Sequence, residues 1–433
     1  MMWKKTTSII VFFMLFSNIT FSQKQNSEYL IDILRKNKNE LFQKILNNPK
    51  KYKLQIIYTE IDRDNNNIPS FKNHYLYVDK NQYYYPASIV KLPLSLLSLE
   101  KLKQLNINGL NKFTSLEIDS AYSAQTREWK DTTSATGKPS LAHYIKKALL
   151  ISENNPYNRM YEFLGQEYLN KRLWEKGYND VRILRRFARF TEEENRYTNP
   201  IKFISKGGKV IYKQPLVYSN IKFEFPNPIL IGEAHYDRDD KLINSPMDFS
   251  HQNNISLEDI HNILKSVMFP FSVPESQKFD ITKEDYLFMR QYLSQFPGET
   301  NYPKYDRNIF YDNYVKLFFY DGQNHNLPDG VRVFNKVGWS YGFMTDVSYV
   351  VDFYNKIEYM LSATVYVNED GILNDDNYEY DSIAKPFLYQ LGQTVYNHEL
   401  ERKRVNIPDL SEFIIEYEKQ EKDNRPTIVE ADN

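Results

Sequence analysis

The stretch Tyr85-Pro86-Ala87-Ser88-Ile89-Val90-Lys91-Leu92-Pro93-Leu94 joins the end of a loop to a strongly apolar run, Ile89 to Leu105, with helical spacing. A serine and a lysine three positions apart share one face of a helix, which brings an amine within hydrogen-bond reach of a hydroxyl, the minimum for a serine nucleophile and its base. Ser98 to Lys101, Ser219 to Lys222 and Ser382 to Lys385 repeat the spacing, so context has to choose. Ser88 alone follows a strand-and-loop approach and stands at a helix N-terminus, where the dipole favours developing negative charge. Pro93 is expected to distort the first turns of that helix.

Outward from Ser88, Glu28 to Leu46 reads as one amphipathic helix, and Leu54 to Ile61 and His74 to Val78 as two strands joined across the turn-rich Asp62 to Ser70. Ser140 to Leu150, Pro156 to Leu164 and Leu169 to Lys176 have helical periods. Gly330 to Lys336, Asp346 to Phe353 and Tyr359 to Val367 alternate as strands, and Ile383 to Tyr396 closes with a helix. Strands at both chain ends with helices between them predict an α+β fold: one mostly antiparallel sheet made from both ends, flanked by helices, with an all-helical subdomain inserted over about residues 105–300. A Pro-, Tyr- and charge-rich segment over about 198–254 reads as a further insertion, with a hairpin at Ile201 to Lys213.

Two further elements belong at the junction of sheet and helices. Ser152-Glu153-Asn154 ends the Leu141 to Leu150 helix and is the only Ser-X-Asn triplet in the chain. A second hydroxyl there can relay a proton to a leaving nitrogen, and the amide can hold both a lysine and a substrate amide. The same triplet also fits an ordinary helix cap ahead of Pro156. Lys336-Val337-Gly338 places a lysine on a strand beside a glycine that admits close backbone approach, a pattern that Lys206-Gly207-Gly208 shares within a hairpin turn.

Together these three elements resemble the serine β-lactamase and penicillin-binding protein superfamily, most closely its class A β-lactamase branch, with motifs Ser-X-X-Lys, Ser-Asp-Asn and Lys-Thr/Ser-Gly in that order. The first interval is close to the family's, and the second is longer by about the inserted segment. The resemblance covers roughly Glu28 to Asn397, and Asn158 and the run Trp339-Ser340-Tyr341-Gly342 followed by Asp346 extend it. It implies a β-lactamase/transpeptidase-like fold, Ser88 as acyl-accepting nucleophile, Lys91 as its base and Ser152 as proton shuttle. Asn154, Lys336, Gly338, Trp339 and Ser340 would bind substrate, Lys336 through a carboxylate, with the N–H groups of Ser88 and Trp339 forming the oxyanion hole. Two departures stand out. Val337 replaces the family's hydroxyl residue, so one carboxylate contact is missing unless Ser340 supplies it. Phe187 falls where class A enzymes carry the glutamate that activates the deacylating water, leaving Glu192, Glu193 and Glu194 as candidate bases or as a solvated acidic run.

The implied function is an exported serine hydrolase that opens β-lactam rings through an acyl-enzyme on Ser88, with no metal and no cofactor, acting as a monomer on a β-lactam or cell-wall peptide. A D,D-peptidase or other penicillin-binding hydrolase, and a non-catalytic ligand-binding module on the same fold, are the alternatives. The ends of the chain support export. Lys4 and Lys5, the apolar Ile9 to Phe16 and the polar fade to Ser22 have the layout of a secretory signal peptide over residues 1–22, destined for the periplasm, the envelope or secretion. The hydrolase domain is expected over 23–400 and a charged, solvated tail over 401–433.

Composition narrows the field. The 433 residues are 41% hydrophobic and 26% charged, which suits a large globular core, and a net charge of −1 gives no electrostatic pull toward nucleic acid. Having no cysteine, the chain is barred from thiol catalysis, disulfides and Cys-ligated zinc. Gly338-Trp339-Ser340-Tyr341-Gly342 matches a Gly-X-Ser-X-Gly elbow with His398 downstream, but the alternating run after it argues against the helix an elbow needs. His235, Asp237, Asp239 and Asp240 cluster in a loop with no rigid element to set metal geometry.

Overall fold

A computed structural model describes residues 23–431 except 226, 321 and 323–325, so the expected signal segment 1–22 lies outside the described residues. Two helices, α1 (Glu28–Arg35) and α2 (Glu40–Leu46), lead into β1 (Gln55–Arg63) and β2 (Pro69–Leu76). They replace the single helix expected over Glu28 to Leu46. Asn37 and Asn39 cause the break: the Asn37 side chain accepts the Asn39 N–H, and Asn39 caps α2 by accepting from Phe42 N.

Near the other end, β10 (Val331–Ser340), β11 (Phe343–Asp352) and β12 (Ile357–Tyr366) precede the long helix α10 (Lys385–Glu401). The main sheet has the order β10-β11-β12-β1-β2, with every pairing antiparallel. Both chain ends therefore build one sheet, as the sequence implies. Gln55 opposes Thr364 across the seam, in a register that carries on to Glu60 opposite Tyr359. β11 and β12 are buried at all ten positions because both faces are covered. One face packs under α1, α2 and α10, and the other under the helical region.

The chain between β2 and β10 holds α3 (Lys91–Leu105), β3 (Ser115–Ile118), α4 (Leu141–Leu150), α5 (Asn154–Leu164), α6 (Gln166–Glu175) and α7 (Glu192–Asn195). It continues with β4 (Ile201–Ile204), β5 (Val210–Gln214), β6 (Leu230–Ile231), β7 (Ala234–Tyr236), β8 (Leu242–Ile243), β9 (Met247–Asp248), α8 (Leu257–Met268) and α9 (Lys283–Ser294). The region is not all-helical. The Ile201 to Lys213 hairpin forms as expected, but it pairs with β3 into a three-stranded sheet, and shorter strands make two more small sheets within and beside the insertion. A four-residue strand such as Ser115 to Ile118 is too short for periodicity to reveal.

α3 is the central helix, buried at every position from Lys91 to Glu100. Its apolar residues surround it on all sides, as befits a helix inside a core. Pro93 does not break it: residues 87–90 form a 3-10 turn and Pro93 falls in the first α-turn, where N–H groups have no intrahelical acceptor.

The charged C-terminal stretch also differs from the solvated tail expected of it. Leu410 and Phe413 are buried, Phe413 packing against Tyr349 and Phe269 with centroids 4.9 and 5.7 Å away, and Ile428 bridges to Tyr305. Its apolar residues, Leu410 and Phe413 to Ile415, form a short cluster in a charged background, and the partners that bury Phe413 lie far away in sequence.

Gly392 of α10 lies against the chain at Phe318, where an added Cβ would come 2.7 Å from Phe318 Cα. Gly392→Ala is expected to cost about 1–3 kcal/mol through overpacking. Denaturant unfolding checks this, and an unchanged midpoint would contradict the fit.

Candidate active site

Ser88 stands on a turn that the backbone makes awkwardly. Ala87 before it has φ +43°, a left-handed conformation that costs a residue with a Cβ, and Ile89 N donates to Pro86 O to close the turn. The result is a serine that stays half-exposed while Ala87, Ile89 and Val90 are buried.

One turn on, Lys91 is fully buried, with Nζ 2.8 Å from Ser88 Oγ, 2.7 Å from Asn154 Oδ1 and 3.3 Å from Ser152 Oγ, and also bonded to the Ser152 carbonyl. Ser152 sits between α4 and α5 at φ +72°, a second strained position. The residue after it is anchored: Glu153 pairs with Lys147 at 3.0 Å and accepts the Tyr305 hydroxyl at 2.8 Å. Lys336, 2% exposed on β10, donates to Ser152 Oγ and to Val337 O, both at 2.8 Å. Ser152 Oγ is therefore held between two amines, one of which also touches Ser88.

Burial pushes the Lys336 amine down to about 7; Asp346 opposes this and Lys316 adds to it. Asp346 is itself pushed up to about 6 by burial, against hydrogen bonds from Asn335 and Ser348 and the field of Lys316. This lysine and carboxylate lie behind the site, Lys316 donating to Asn335 Oδ1 at 2.6 Å and Asn335 to Asp346 Oδ1 at 2.9 Å.

Gly338 explains the Lys-X-Gly pattern. A Cβ there would lie 2.5 Å from Pro86 O and 2.9 Å from both Ser88 N and Ile89 N, so no side chain fits between β10 and the Ser88 turn. Val337, one residue earlier, is buried in the core beneath α10 and does not line the cavity. The cavity in front of Ser88 measures about 250 Å3 and is walled by Tyr85, Ala87, Ser88, Ser152, Asn154, Phe187, Trp339 and Ser340.

The structure thus gathers Ser88, Lys91, Ser152, Asn154, Lys336, Gly338, Trp339 and Ser340 around one space. Tyr85 is a wall that sequence reasoning did not single out. Its signal is the aromatic run Tyr83-Tyr84-Tyr85 directly before Pro86, which does not stand out in a chain with 35 tyrosines.

Phe187 faces the cavity, its ring 5.4 Å from Lys91 Nζ and stacked on Tyr157 at 4.2 Å. Asn158 clasps its main chain, accepting from Phe187 N at 2.7 Å and donating to Phe187 O at 3.3 Å. The three glutamates offered as bases are elsewhere. Glu194 caps α7 by accepting from Thr191 N and Oγ1, Glu192 lies 3.1 Å from His251, and Glu193 approaches Tyr218 and Arg196. A Thr-X-X-Glu capping box folds this acidic run into its own short helix, which keeps it off the Ser88 cavity.

The competing motifs also find their places. Tyr341 and Gly342 make the tight turn from β10 to β11, so a strand and not a helix follows Ser340. His398 bonds Tyr29 on α10's outer side. His235 bonds the Ser245 carbonyl.

Residues 39–206 match the model of the beta-lactamase enzyme family. Among solved structures, a β-lactamase from Streptomyces albus G is 14% identical over 84% of this chain and 99% of its own, with a TM-score of 0.45. One from Francisella tularensis is 12% identical over 83% and 100%, at 0.47, and one from Sphaerobacter thermophilus 10% over 87% and 97%, at 0.45. No curated protein matches the chain by sequence. The family match spans the Ser88 and Ser152 motifs, and the Lys336 strand closes on them, an arrangement similar to that of the serine β-lactamase and penicillin-binding protein superfamily.

Gly338→Ala is expected to push β10 off the Ser88 turn and slow acylation of Ser88 by about two orders of magnitude. Circular dichroism of the variant shows whether the fold survives. Lys336 is charged below about 7, so if it binds a substrate carboxylate the attraction is full in acid and fades as pH rises through that value. The apparent affinity for a carboxylate-bearing acyl donor, followed against pH beside its methyl ester, should fall only for the acid. A flat profile would remove Lys336 from substrate binding.

Proposed function

We propose that the protein is an exported, class A-like serine hydrolase that takes β-lactams onto Ser88 and releases them slowly. The observation that carries this reading is the chain of contacts Ser88 Oγ to Lys91 Nζ to Ser152 Oγ to Lys336 Nζ. Ser88 Oγ attacks the carbonyl carbon and its proton passes to Lys91 Nζ. The amide C–N bond then breaks, and the leaving nitrogen takes its proton from Ser152 Oγ, which is resupplied from Lys91. The N–H groups of Ser88 and Trp339 face the developing oxyanion, a contribution of about 3 kcal/mol per donor. Lys336 holds the substrate carboxylate beside Ser152.

Deacylation is where this chain departs from an efficient β-lactamase. A water must be held against the ester and relieved of a proton, and among the described residues the Ser88 cavity wall has no carboxylate. Phe187 occupies the loop position that Asn158 ties to the cavity and offers neither an acceptor nor a base. The same feature favours a second reading, a penicillin-binding hydrolase whose working substrate is a cell-wall peptide and for which a β-lactam is a slowly released inhibitor.

Mass spectrometry after exposure to penicillin should place one adduct on the Ser88 peptide, absent from Ser88→Ala. An adduct elsewhere would end the assignment. Pre-steady-state nitrocefin hydrolysis should show a stoichiometric burst and then a slow phase. Phe187→Glu should speed that slow phase by about two orders of magnitude, the span of a general-base contribution. A fast rate without a burst in the unmodified protein would show that another group activates water.

A further inference from the structure

The segment Leu184 to Phe187 walls two spaces. Phe187 lines the Ser88 cavity, while Leu184 and Arg185 line a second one of about 600 Å3, within the range of small-molecule sites. Much of this second cavity comes from the insertion, which supplies Lys222, Phe223, Phe225 and Arg238. It is the part of the chain that the Ser88 chemistry leaves without a role.

Four cations reach the cavity, Arg185, Arg196, Lys222 and Arg238, against two carboxylates, Glu192 and Asp248. Both carboxylates are already engaged, Glu192 with His251 and Asp248 with the Ser250 N–H and hydroxyl. Arg185 donates to the neutral Gln252, and Arg196 to the carbonyls of Ser219 and Ile221. Among the described residues, no carboxylate lies within ion-pair distance of Arg185, Lys222 or Arg238. Such a surplus around a concave space attracts anions.

Two other features ask for more than an anion. Gln166, 5% exposed, donates its amide to Leu184 O at 2.8 Å, but its Oε1 is buried without a hydrogen-bond partner. A buried acceptor of this kind is costly unless a donor reaches it. Phe223 and Phe225 line the cavity and give it an apolar side, the Phe225 ring being backed by His251, stacked at 4.2 Å, and by Arg182 at 5.8 Å.

We propose that this cavity is a second binding site, for an anionic saccharide: a sugar or short oligosaccharide carrying a carboxylate or a phosphate. The acid group pairs with Arg185, Lys222 and Arg238, a hydroxyl donates to Gln166 Oε1, and the C–H face of the ring lies on the phenylalanines. An inorganic anion would satisfy the cations alone, and a neutral sugar would leave them unpaired. The proposal concerns binding and does not rest on the chemistry at Ser88.

Isothermal titration of the full chain with glucose 6-phosphate and with digalacturonate tests it, beside inorganic phosphate and glucose. One of the two anionic saccharides should bind saturably, at one site per chain and at least about tenfold more tightly than phosphate or glucose. Which of them binds tells phosphate from carboxylate. Lys222 and Arg238 are exposed, so Lys222→Ala combined with Arg238→Ala should keep the thermal midpoint while weakening binding at least about tenfold. Ser88→Ala should leave binding unchanged. The proposal is overturned if neither saccharide saturates, if phosphate alone binds as tightly, if the double variant binds normally, or if Ser88→Ala abolishes binding.

Discussion

The site rests on main chain meeting main chain. At Gly338 the edge strand β10 approaches the Ser88 turn so closely that a methyl group would overlap the Pro86 carbonyl and the Ser88 N–H. Positions two apart on a strand share a face, so the approach that seats Gly338 also turns Lys336 toward Ser152. The rest of the main sheet serves to hold that edge. β11 pairs with β10 along ten residues, β12 follows it, and β1 backs them from the other end of the chain. Helix α9 packs against β10 as well.

A lysine amine taken out of water is expensive unless it is well partnered, and this protein buries three around one strand. Lys91 and Lys336 divide Ser152 between them on the cavity side. Lys316 lies behind β10, where Asn335 passes its hydrogen bonding on to Asp346 and Ser348 adds a further donor. Asp346 and Asn335 are thus explained as the counterweight to buried positive charge. This is the physical reason for the acid shortly after the Lys-X-Gly strand, which in sequence is only one more point of resemblance.

Much of this was legible in advance because each element announces itself locally. Ser88 and Lys91 are one helical turn apart, Ser152 follows an amphipathic helix, and Lys336 and Gly338 alternate on a strand. What stayed hidden depended on position in space. Nothing in Glu192-Glu193-Glu194 says which way a short helix faces, and the capping bonds of Thr191 decide it. Leu410 and Phe413 to Ile415 make a short apolar cluster in a charged tail, and the burial of Phe413 depends on Phe269 and Tyr349, distant in sequence. β3 became visible only through its partner β4, more than eighty residues later.

The seam between β1 and β12 has a kinetic consequence. Gln55 finds its partner in Thr364, so the main sheet stays open until the third quarter of the chain and more has left the ribosome. Closing so long a loop is slow compared with forming local helices, and until it happens β1 has an unpaired edge and an uncovered apolar face. Early α-helices can gather, but they have no finished sheet to pack on. Until the seam closes, its exposed strand edges can pair with those of another molecule, a hazard that dilution or a chaperone reduces.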